Sequence, residues 1–174
     1  MKPLPCRLSL PLMPLLTLPF LLASIIGCSQ RNPRTVTTAN NSATLSGSLP
    51  ANPLAWKVIT SAIDRSNGTM STLFGNDIAV QYARSSSSQQ FPAGAVLSLV
   101  TWHQQEDPRW FGGNIPAQPL SVEFVTVAAA PANQLTYTYT NYQGAPLKQQ
   151  ATTTATTPQD RAAYMLSMRA AVMP

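Results

Sequence analysis

Thiols and imidazoles are nearly missing from this chain. It has two cysteines, Cys6 and Cys28, and one histidine, His103, in 174 residues. Both cysteines lie before residue 29. The rest of the chain therefore has no disulfide, no thiolate metal ligand, no cysteine nucleophile and no thioether-linked haem. A single histidine with no strained Gly-x-Ser-x-Gly turn near it excludes the usual hydrolase triad. No glycine-rich loop is placed to cradle phosphates. Charged residues make up only 10% of the chain. The formal net charge is +5, but the basic residues are scattered without a dense run, so no nucleic-acid groove is expected.

What is present begins with a leader. Lys2 and Arg7 precede a mostly apolar segment from Leu8 to Ile26, broken by Pro11, Pro14 and Pro19. These prolines argue against a stable spanning helix and for a secretory signal over residues 1–27. The segment ends Ile25-Ile26-Gly27-Cys28, which resembles the bacterial lipobox. The resemblance implies cleavage before Cys28, diacylglycerol on its sulfur and an acylated amine. Ser29 follows where an aspartate would signal inner-membrane retention. The expected location is the cell envelope, as an outer-membrane lipoprotein facing the periplasm. The expected partner is the membrane itself, through the N-terminal lipid.

Residues 28–51 read as the lipidated N-terminus and a tether. Ser, Thr, Asn and Pro dominate there, and such a composition buries little apolar surface. Residues 52–174 read as one domain. Asn52-Pro53 carries a helix-start signal, and Leu54, Val58, Ile59, Ala62 and Ile63 fall at helical spacing, with Gly68 as the stop. Met70 to Phe74 reads as a short extended piece. Asp77 to Arg84 reads as a second helix with Ile78 and Tyr82 inward. Gly94 to Trp102 is a strand with two apolar faces: Val96, Val100 and Trp102 on one, Ala95, Leu97 and Leu99 on the other. It should therefore be central. Ser121 to Ala128 and Gln134 to Tyr142 are further strands, the latter alternating Leu and Tyr with Thr. Tyr137, Tyr139 and Tyr142 are expected to make cross-strand pairs. Gly144 to Thr157 is loop, or holds one weak strand around Gln149 to Thr154. Thr157-Pro158-Gln159-Asp160 opens a last helix with Met165, Met168 and Val172 on its apolar side. The fold class implied is α+β, an antiparallel sheet with flanking helices.

The stretch Phe91 to Val127 carries the candidate chemistry. It holds two of the three tryptophans, the histidine, and Glu106, Asp107 and Glu123 from the six acids. Its loop offers Trp102, His103, Glu106, Asp107, Arg109, Trp110 and Phe111, followed by Gly112-Gly113. Aromatic walls beside permissive glycines can line a small-molecule pocket, cap a core or form a dimer contact. His103, Glu106 and Asp107 could gather a divalent ion, or simply form a solvated loop pairing with Arg109. Contiguous residues rarely converge on one ion, so no metal is expected. Met165 and Met168 could ligate a haem or copper, though methionine is a common filler of cores.

Two ordered motifs carry a family resemblance. Phe74-Gly75-Asn76-Asp77-Ile78-Ala79 is followed, after a variable loop, by Phe91-Pro92-Ala93-Gly94-Ala95-Val96. Together they resemble the cytochrome P-460 family over roughly Asn52 to Val127. The resemblance implies a small antiparallel sheet with helices and a homodimer. Family members are periplasmic c-type cytochromes. Some oxidise hydroxylamine at a haem cross-linked to a lysine, and cytochrome c′-beta relatives bind small gases. This chain departs from that pattern at the haem. It has no Cys-x-x-Cys-His near its C-terminus and no lysine between Gly94 and Trp102. The expectation is thus a haem-free, non-enzymatic envelope protein that binds a small ligand or a partner through the loop Trp102 to Asn114. The alternative is a redox or gas-binding protein holding haem non-covalently through His103.

Overall fold

The computed structural model describes residues 39–85, 90–131, 134–151 and 157–171. Six strands form one antiparallel sheet in the order of the chain: β1 (Lys57–Asp64), β2 (Thr69–Gly75), β3 (Val96–Glu106), β4 (Asn114–Ala130), β5 (Gln134–Gln143) and β6 (Lys148–Gln150). Helix α1 (Asp77–Ser85) links β2 to β3, and helix α2 (Pro158–Ser167) follows β6. The fold is α+β, as the pattern of elements implies.

β3 is interior, and its two faces divide the core as its alternation requires. Leu97 and Leu99 pack with Ile59, Leu73, Val125 and Val127 under α1 and α2, which contribute Ala79, Val80, Ala162 and Met165. Val100 and Trp102 pack on the opposite face with Phe74, Val122, Phe124, Tyr142 and Leu147. Successive strand side chains point to opposite faces, so one strand serves two cores.

The largest correction concerns residues 52–64. The helix-start signal is real but drives a single 3-10 turn, Pro53–Ala55, with Asn52 accepting from the Leu54 amide at 3.1 Å. The chain then enters β1 rather than continuing as a helix. Val58, Ile59, Thr60 and Ile63 are β-branched, which disfavours a helix and suits a pleated edge. Pairing with β2 settles the matter, from Lys57 opposite Gly75 to Asp64 opposite Thr69. Only Ile59 is buried, while Val58 and Ile63 are exposed. Gly68 closes the β1–β2 turn at φ +60 instead of ending a helix. In α1, Ile78 is exposed, and Ala79 and Val80 face the core.

Residues 40–49, read from composition as tether, lie on the sheet. Ala43, Leu45 and Leu49 cover the second core cluster. Trp102 donates its indole N–H to the Ala43 carbonyl at 3.0 Å, and Asn40 donates to the Pro116 carbonyl at 2.6 Å. Gly47 forms a bridge with Leu147 at φ +135, where any Cβ would overlap the Leu147 backbone. Three small apolar groups suffice because the sheet face supplies most of the buried surface. β4 also runs longer than the Ser121 to Ala128 reading, and Met168 caps α2 from just outside it. Gln149 to Thr154 is strand only as far as Gln150, residues 152–156 and Val172 lying outside the described residues.

Candidate functional site

The two motifs of the family resemblance meet in space. Asn76 sits between β2 and α1. Its Oδ1 accepts from the Ala79 amide at 3.0 Å and the Val96 amide at 3.2 Å, and its Nδ2 donates to the Gly94 carbonyl at 2.8 Å. One side chain thus caps α1 and ties it to the start of β3. Gly75 lets α1 approach β1 closely: a Cβ there would meet Ile59 at 2.8 Å and Ala79 at 3.0 Å. Phe91 is buried, and its ring lies 5.1 Å from that of Tyr82. Lys57 pairs with Asp77 at 2.7 Å across the exposed rim, holding that carboxyl below its usual range. The motif is a structural joint: its polar groups are spent on tying α1 to β3, and only the Phe91 ring borders a hollow.

The loop residues singled out from sequence do not converge. The β3–β4 register slips on both sides of Trp102. Trp102 turns into the core against Phe74, with ring centroids 6.5 Å apart. His103 is exposed beside a shallow hollow of about 640 Å³ of mixed lining, with Ser42, Thr44 and Gln105 beside Ala117, Pro119 and Ala145. Glu106 and Asp107 lead into a tight turn in which Asp107 accepts from the Arg109 amide at 2.9 Å. Arg109 stays near that carboxylate at 3.8 Å. Trp110 is 75% exposed and Phe111 fully so. Trp102 therefore belongs to packing, His103 to a rim, and Trp110 with Phe111 to a projecting tip.

The site that sequence reasoning missed lies under α2. Glu123 is buried in β4 on the face of Val125 and Val127. Arg161 of α2 grips it with Nε to Oε2 at 3.0 Å and Nη2 to Oε1 at 2.7 Å. Tyr139 of β5 donates its hydroxyl to Oε2 at 2.9 Å. The carboxylate thus accepts three charge-assisted bonds, which offset much of its desolvation. Burial, then the Glu123 charge and hydrogen bond, push the Tyr139 phenol well above its usual range. The hydrogen bond to Glu123 likewise raises Arg161 against the opposing effect of its burial. The signal was present: an acid inside Val122-Glu123-Phe124-Val125, in register with core positions, demands a partner. What the sequence did not contain was the partner's address, 38 residues further on.

Two hollows flank α2. One, of about 460 Å³, lies over Phe91, Val127, Leu135, Tyr137 and Leu166. The other, of about 680 Å³, is lined by Asp64, Arg65, Thr69, Ser71, Thr101, Arg161 and Tyr164, with Leu99 as apolar floor. Arg161 stacks its guanidinium 4.9 Å from the Tyr164 ring, so the same side chain anchors the helix and shapes the hollow. Asp64, on the opposite rim, is held at about 2 by hydrogen bonds from the side chains of Ser66 and Asn67 and from the Asn67 amide.

An α+β domain of this topology, with two helices packed against an antiparallel sheet, defines the class. Its sequence matches the pattern of the Cytochrome P460 family over residues 50–160, and the chain belongs to that family. No curated protein matches the chain. Family membership makes haem the implied cofactor, but the residues present do not fit it. The chain has neither the two spaced cysteines nor the following histidine that attach a c-type haem. His103 is exposed on the rim of an open hollow lined by small and polar residues, not inside an enclosed apolar slot that would shield a porphyrin. The Met165 thioether is fully buried in the core against the sheet. Among the described residues, no group of three or more His, Cys, Asp or Glu side chains could hold a metal.

Proposed function

We propose that this chain is a lipid-anchored envelope protein whose Cytochrome P460 domain binds a small ligand in the hollow between α2 and strands β1–β3. The observation that carries this reading is the buried Arg161–Glu123–Tyr139 network, which fixes α2 at the edge of that hollow. A rigid wall is what a preformed site needs. Arg65 and the hydroxyls of Thr69, Ser71 and Thr101 can donate to an anionic or hydroxylated group, while Leu99 and Tyr164 meet an apolar part. The anchor rests on Ile25-Ile26-Gly27-Cys28, with Cys28 as the lipidated residue and Ser29 favouring the outer membrane.

The full chain, extracted from its own cell envelope in mild detergent, should retain a small molecule visible by native mass spectrometry. Ser71→Trp, which fills the hollow, should lose it, and Arg65→Ala should weaken retention. A chain that carries nothing, and whose melting temperature no small acid or phenol raises, would sink the ligand reading. An absorption spectrum tests the haem alternative on the same material. A Soret band that vanishes in His103→Ala would return haem chemistry to first place. Anchoring is tested by intact mass: acyl chains on Cys28 are expected, and their absence would refute it.

A further inference from the structure

The β3–β4 hairpin ends in a tip that the ligand reading does not use. Trp110 and Phe111 are displayed there to solvent, and an exposed aromatic pair is uncommon without a purpose. The tip is built rather than loose. The Asp107 amide donates to the Gly113 carbonyl at 2.9 Å, and the Gly113 amide donates to the Trp110 carbonyl at 2.9 Å. Asp107 accepts from the Arg109 amide at 2.9 Å, so its charge is taken up within the turn. Gly112 adopts φ +75, a left-handed turn position that glycine takes without strain. The backbone thereby presents two large rings outward, next to one arginine.

The position of the chain's entry into the domain says what those rings meet. Asn40 is bonded to the Pro116 carbonyl, on the β4 limb of the same hairpin. Pro116 lies three residues beyond Gly113. At about 3.3 Å per strand residue the entry point is therefore roughly 10 Å from the base of the tip. Only ten residues, 29–38, separate Cys28 from Ala39. At no more than about 3.6 Å per residue they span at most roughly 40 Å from the acyl anchor. With Cys28 lipidated, the chain's entry point beside the tip lies within that distance of the bilayer.

We propose that Trp110 and Phe111 dock in the interface of the anchoring membrane, orienting the domain with the hairpin tip down. This rests on the lipid anchor proposed above. Tryptophan suits the headgroup level because its ring is apolar while its N–H stays wet, and Phe111 adds purely apolar area. Arg109 can reach lipid phosphates from the same turn, its stem lying along the rings. The acyl chains retain the protein, and the tip sets its attitude.

The test uses the full lipidated chain reconstituted in phosphatidylcholine vesicles whose acyl chains carry bromine, a short-range quencher of tryptophan emission. Quenching is expected to lower the Trp110 emission about twofold, since an interfacial tryptophan lies within reach of the upper acyl chain. Trp110→Phe should remove the quenched component and leave the emission of core-packed Trp56 and Trp102 unchanged. Phe111→Ser, with Trp110 kept as reporter, should halve the quenching while the protein stays with the vesicles. A vesicle-bound chain whose quenching matches that of Trp110→Phe overturns the proposal, leaving the tip as a surface for a protein partner or a second copy. Intact mass separates the two readings. If Cys28 carries no acyl chain, the anchor fails by itself. The tip is then judged on vesicles added from outside, where absent Trp110 quenching overturns it and present quenching sustains it.

Discussion

Arg161→Met should destabilise this domain by about 3 kcal/mol, although it removes a side chain that is one-third exposed. The reasoning starts from its partner. The Glu123 side chain is 7% exposed and takes two of its three hydrogen bonds from Arg161. Methionine would leave a buried carboxylate with only the Tyr139 hydroxyl. Breaking a buried pair from one side costs about 3–5 kcal/mol, and the exposure of Arg161 argues for the low end. Losing the stacking on Tyr164 adds about 0.5 kcal/mol. The opposite deletion is milder. In Glu123→Gln the guanidinium can turn into water, so the cost should be about 1–2 kcal/mol. Urea unfolding of the full chain in detergent reads both, as shifts in midpoint at constant slope. In a melting experiment, Arg161→Met should fall by roughly 10 °C. The double variant should cost less than the sum of the singles by about 1.5 kcal/mol or more, because the second change removes the charge that the first one stranded. Additivity within about 0.5 kcal/mol would refute the reasoning, and α2 would then be held by its apolar contacts, Ala162, Met165 and Leu166 among them.

Three further outcomes follow from the geometry. The Tyr139 phenol is raised above its unfolded value of 10.0, so its contribution is complete below pH 10 and is lost as pH rises further; unfolding free energy measured at pH 9 and pH 11 should drop, and Tyr139→Phe should flatten the drop. Trp102→Ala should cost about 3–5 kcal/mol by opening the second core cluster, and should expose residues 40–49 to limited proteolysis because the bond to Ala43 is gone. Gly75→Ala should cost about 1–3 kcal/mol, measured by urea unfolding, since the new methyl meets Ile59 and Ala79.

Much of the fold was legible in the chain because it is written in local periodicity. The two-faced alternation of β3 named its central place and assigned Val100 and Trp102 to one core and Leu97 and Leu99 to the other. The Thr157 cap and Asp160 marked the start of α2, with the Thr157 hydroxyl accepting from the Asp160 amide at 3.1 Å. The Asn76 and Phe91 motifs marked the family. The same local signals misread residues 52–64, where a true cap precedes a β-branched run whose state is decided by β2. They also misread residues 40–49, where polar composition concealed three apolar contacts with a distant sheet face.

The sequence by itself determined which chemistry is out of reach: two N-terminal cysteines and one histidine cannot rebuild a c-type haem attachment, because covalent ligation needs particular atoms at particular spacings. The tertiary structure alone decided where the remaining polar groups act. It sent Trp102 inward and Trp110 outward from one hairpin, and it joined Glu123, Tyr139 and Arg161 from three separate elements. The reason is physical: alternation and caps are properties of neighbouring residues, whereas a buried charge is satisfied by whichever element the sheet register and the helix packing carry to it.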